Sequence, residues 1–70
     1  MGIRLMHIIE LQDSETTANL GRFKTTLKFN IGDEIVFSEH VYVIERTLKF
    51  LYPESDDVEY IYIKLLRKFE

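Results

Sequence analysis

The chain is 70 residues long, carries a net charge of −3, and is 46% hydrophobic and 30% charged. That balance excludes a disordered polypeptide, and the absence of cysteine excludes a disulfide framework and a thiolate metal site. No apolar run approaches the ~20 residues of a membrane-spanning helix, and so short a chain makes one β domain, residues 1–70, with a thin stability margin.

At the start, Ile3, Leu5, His7, Ile9 and Leu11 alternate with Arg4, Met6, Ile8 and Glu10, which is the period of a strand with its odd face inward. The same stretch lacks a small-residue cleavage site, and Met6 stands where a myristoylation signal needs Ser or Thr, so a cytoplasmic location is expected. Gln12–Gly21 is the longest polar segment and reads as a mobile surface connection anchored by Leu20. Phe23, Thr25, Leu27 and Phe29 then alternate with Lys24, Thr26 and Lys28, giving a second strand whose outer face is basic. Such a face can serve simply to guard a sheet edge.

Ile31–Leu51 organises the fold. Gly32-Asp33 is a turn signal, because Gly reaches positive φ freely and Asp bonds its own following backbone. Ser38-Glu39-His40 separates Ile35-Val36-Phe37 from Val41-Tyr42-Val43-Ile44 and reads as a hairpin. Along Val41–Leu51 the parity of Tyr42, Ile44, Leu48 and Phe50 is interrupted by Arg46, which predicts a β-bulge near Glu45-Arg46. Tyr52–Asp57 is a turn built on Pro53. Residues 58–69 carry two periods: Val58, Ile61, Tyr62, Leu65 and Phe69 at helical spacing, and five strand formers in Val58–Ile63. The β-branched and aromatic run favours a strand apolar on both sides, with Ile61 and Ile63 inward and Tyr60 and Tyr62 outward.

The fold expected is therefore all-β: five antiparallel strands curled into a small barrel or strongly bent sheet. The alternative is α+β, with a C-terminal helix at 58–69. The short strands, the longer first loop, and Gly32-Asp33-Glu34-Ile35-Val36-Phe37 followed by Val41-Tyr42-Val43-Ile44 resemble the small SH3-like barrel proteins of bacteria and their phages. That resemblance implies an adaptor or assembly role, with nucleic-acid binding in some members. The aromatic peptide groove of signalling SH3 domains is not identifiable, and there is no Trp.

No catalytic signature stands out, and none implies a cofactor or small-molecule ligand. His7 and His40 are the two imidazoles, one on the inner parity of the first strand and one at a hairpin tip. Glu54, Asp56, Asp57 and Glu59 form an acidic cluster without the glycine turn of a calcium loop, so a solvated turn is expected and no metal site. Ser14, Ser38 and Ser55 lack the context of a nucleophile elbow, and the glycines are isolated. A non-enzymatic, self-associating protein-interaction or assembly module is expected, with Tyr60, Tyr62 and Tyr42 as partner-binding residues and a homodimer as its form. The alternative is a nucleic-acid-binding barrel that uses Arg22, Lys24 and Lys28 beside Phe23 and Phe29.

Overall fold

The alternation along the chain resolves into five strands among the described residues: β1 (His7–Asp13), β2 (Asn19–Thr25), β3 (Glu34–Phe37), β4 (His40–Lys49) and β5 (Val58–Lys68). The structure, a computed structural model, describes residues 6–50 and 58–70. The expectations at Ile3 and Leu5 and for the Tyr52–Asp57 turn lie outside the described residues.

The strands form one sheet in the order β2-β1-β5-β4-β3. Read around its curl, this is chain order interrupted once: β1 and β2, a gap, then β3, β4 and β5, and back to β1. Strands of such a meander alternate in direction, so the first and fifth run the same way. The seam where they meet is parallel, from Ile8 opposite Val58 to Asp13 opposite Ile63. A wholly antiparallel sheet is corrected at this one seam: an odd number of alternating strands cannot close without it. The remaining pairings are antiparallel.

Residues 58–68 are strand rather than the alternative helix. β5 lies between β1 and β4, so its backbone is paired on both edges over Glu59–Ile63, and β-branched residues suit that position. Ile61 and Ile63 are fully buried at 0% exposure and pack with Ile9, Leu11 and Ile44 on the concave side. Tyr60 and Tyr62 point the other way, opposite Glu10 and Gln12 of β1. Leu20, Phe29, Ile35, Phe37 and Tyr42 complete the concave core from its margin.

The bulge falls at Glu45, between Ile44 and Arg46. One extra residue flips the parity of β4: Tyr42 and Ile44 face the core, whereas Leu48 pairs with Tyr60 and faces outward. The β3–β4 hairpin closes on Phe37 and His40 through the two residues Ser38 and Glu39, both at positive φ (52° and 66°). At its far end Asp33 N–H bonds Asn30 C=O at 3.0 Å, and Gly32 sits at φ 95°, as the third position of such a turn requires.

The polar first connection is shorter and better tied than a mobile loop: β1 runs on to Asp13 and β2 spans Asn19–Thr25, so the expected second strand starts earlier and ends before Leu27 and Phe29. Asp13 Oδ1 accepts from the N–H groups of Glu15 (2.8 Å) and Thr16 (3.1 Å), and Asp13 C=O accepts from Thr17 N–H (2.7 Å). An Asx turn therefore does what side-chain burial cannot do for so polar a segment.

Candidate functional site

Curling brings the two outermost strands towards each other without joining them. Cα atoms of β2 and β3 stay more than 8 Å apart, whereas paired strands run about 4.8 Å apart. Inside the curl the Phe23 and Phe37 rings meet edge to face, with centroids 5.7 Å apart, and Phe37 in turn contacts Tyr42 at 6.3 Å. Gly21 makes room for this: at φ 142° it lies under Phe23, whose ring atoms would stand 3.1 Å from any added Cβ. Between the two edges runs a groove of about 480 Å³, floored by Ile9 and Leu11 and walled by Phe23, Leu27, Ile35 and Phe37. Among the described residues, Lys24 is the one charged residue lining it. Val36, on the rim, is 54% exposed, and Leu27 is 63% exposed.

The edge of β3 offers hydrogen bonds to this groove. In a two-residue hairpin the closing pair exchanges backbone bonds, so Phe37 and Ile35 bond to β4. Asp33 C=O, two residues further back, accepts from Ile44 N–H at 2.8 Å in the same phase. The N–H and C=O groups of Glu34 and Val36 consequently point away from β4, across the gap.

The expected partner-binding tyrosines divide between two faces. Tyr42 packs against the core on the concave side, next to Phe37 and with His40 at 6.5 Å. On the convex side the Phe50 ring meets Tyr60 edge-on at 5.3 Å, and the Arg46 guanidinium lies 4.4 Å above the Tyr62 ring. Both convex tyrosines are half-buried.

The basic residues of β2 are likewise separated from its aromatics. Arg22 and Lys24 share the convex face with Glu10, while Phe23 faces the groove. Arg22 Nε donates to Glu10 Oε1 at 2.7 Å, and Gln12 Nε2 donates to Glu10 Oε2 at 2.6 Å. These two bonds, Arg22's first, hold the Glu10 carboxyl below its usual range although burial at 6% exposure opposes them. Lys28 lies elsewhere, in a polar niche of about 430 Å³ with Lys49, His7, Asn30 and Glu59.

That niche is a grouping that sequence reasoning missed. His7 Nε2 stands 4.0 Å from Glu59 Oε1, and Lys49 is directly opposite Glu59 across β4 and β5. Nothing in the local sequence signals it, because it depends on the parallel β1–β5 register. The two histidines are not brought together: His7 lies by the start of β5 and His40 opposite Lys68 at its end. His40 Nδ1 lies 2.8 Å from Ser38 C=O. No group of three or more metal-ligating side chains occurs among the described residues, and no helix there is long and apolar enough to cross a membrane. Comparison with protein-family models, curated proteins and solved structures finds no match to this chain.

Proposed function

We propose that the chain is a non-enzymatic protein-interaction or assembly module that receives its partner at the open side of the curled sheet. One observation carries this reading: among the described residues, two strand edges without a neighbour flank a groove whose walls are apolar and partly exposed. Unpaired edges beside exposed apolar surface are what proteins otherwise hide, and strand addition is a common way of using them. The resemblance to small SH3-like barrels agrees with an adaptor role.

Self-association belongs to the same proposal but to another surface. Leu48 and Phe50 remain exposed beside Tyr60 on the convex face, which suits a weak contact between copies. Selection of random peptides on the immobilised protein, counter-screened with Phe23→Asp, tests the main reading. Binders that require Phe23 are expected. Binders that ignore Phe23 and compete at Tyr60 and Tyr62 would move the site to the convex face, and a yield of none would end the reading.

A further inference from the structure

The gap between β2 and β3 can be measured from both sides. Its lower bound is the 8 Å that no Cα pair of the two strands crosses. Its upper bound comes from the Phe23–Phe37 contact: centroids 5.7 Å apart, each roughly 4 Å from its own Cα by covalent geometry, allow at most about 14 Å. One added strand needs two sheet spacings, about 9.6 Å, and two added strands need about 14.4 Å. The opening therefore fits a single strand. Each strand among the described residues already carries a neighbour on at least one edge, so a strand of a second copy would bring that neighbour with it and overfill the space.

We infer that the occupant is one isolated extended segment of another protein, inserted between β2 and β3 as a sixth strand. This rests on the function proposed above and specifies its ligand. Because β2 and β3 run in opposite directions, the inserted strand is antiparallel to one and parallel to the other. Its inward side chains alternate with outward ones: the inward set meets Phe23, Ile35 and Phe37 and must be large and apolar. The outward set passes between Lys24 of β2 and Val36 of β3, the two rim residues. Arg22 is already engaged by Glu10, and Glu34 lies 3.5 Å from the Arg67 guanidinium. Among the described residues Lys24 is the charge the groove presents, so an acidic residue in the ligand belongs beside it. The ligand class is an extended segment with alternate large aliphatic residues and a carboxylate on its outer side.

The test uses the whole chain and labelled peptides of about eight residues, a typical strand length. In the first, valine and isoleucine alternate with threonine and one glutamate. The second replaces that glutamate with lysine, and the third is the first with its backbone amides methylated. Fluorescence anisotropy gives affinities, and amide chemical shifts give the site. The first peptide is expected to bind and to shift the amides of β2, Glu34 and Val36, while methylation abolishes binding. Lys24→Glu is expected to reverse the preference between glutamate and lysine peptides, a change on the order of tenfold, since facing charges across strands are worth up to ~1 kcal/mol each way. Binding that survives methylation, shifts centred on Tyr60 and Tyr62, or a preference unmoved by Lys24→Glu would overturn the inference. If none of these peptides binds while random selection yields Phe23-dependent binders, the interaction role stands and the sixth-strand ligand is wrong.

Discussion

At the scale of the residue, Glu10 is the buried charge on which the β1–β2 pairing leans. Its carboxylate takes hydrogen bonds from Arg22 and Gln12 on the convex face, and these lower its pKa. The Arg22 side chain is about half exposed, so solvent screens the Coulomb attraction and the hydrogen bonds dominate. A carboxyl whose folded pKa is depressed contributes stability above its unfolded pKa, near 4.3, and loses it as pH falls through the folded value. Glu10→Gln is therefore expected to cost about 1.5–3 kcal/mol at neutral pH, the range for a hydrogen bond to a charged group. The gap between wild type and variant should shrink as pH falls below the usual glutamate range and through the lowered folded pKa, as the wild-type carboxyl protonates. Urea denaturation across this range measures it, and a gap independent of pH would show that the charge contributes nothing. Glu10 was legible in sequence only as an outward-facing acid. That it is buried depends on the neighbours Arg22 and Tyr60, which strand pairing brings from other parts of the chain.

At the scale of the element, the β3–β4 hairpin and the bulge were the most legible features, because each is encoded within a few residues. The Ser38-Glu39 turn and the Glu45 bulge both fall where turn chemistry and a misplaced charge put them. The turn carries local strain, since two ordinary L-residues hold positive φ where Asn-Gly is preferred. Replacing both, as Ser38→Asn with Glu39→Gly, is expected to stabilise the protein by about 1 kcal/mol and raise Tm by roughly 4–8 °C. The bond from Phe69 N–H to the carbonyl of residue 39 involves only backbone and is retained. A lower Tm would mean that Ser38 or Glu39 contributes through its side chain. For β5, the inward facing of Ile61 and Ile63 was also legible, since aliphatic β-branched side chains bury without a polar atom to satisfy. Ile61→Ala should cost about 2–5 kcal/mol at this fully buried position, and Tyr62→Ala distinctly less, because that ring lies at the surface under Arg46. Thermal unfolding of both variants decides it, and a larger loss for Tyr62→Ala would reverse the assigned faces.

At the scale of the whole molecule, the alternation of Val58–Ile63 and of Ile9–Leu11 predicted an all-β sheet, yet the way it closes was not legible. Periodicity reports which face of a strand is buried and says nothing about which strands are neighbours. The parallel β1–β5 seam, the gap between β2 and β3 and the niche around His7 all follow from neighbour choice. The same limit explains the tyrosines: Tyr42, Tyr60 and Tyr62 look alike in sequence and end on opposite faces, because the Glu45 bulge and the strand order decide where each points. The open side is the feature from which the proposed role and its ligand both follow, and backbone amide exchange followed by NMR in dilute solution tests it most directly. An open gap predicts alternation along β3: slow exchange at Ile35 and Phe37, which bond to β4, and fast exchange at Glu34 and Val36, which face the gap. Exchange at Glu34 and Val36 as slow as at Ile35 would mean that β2 and β3 are paired and the barrel is closed, which would contradict the account.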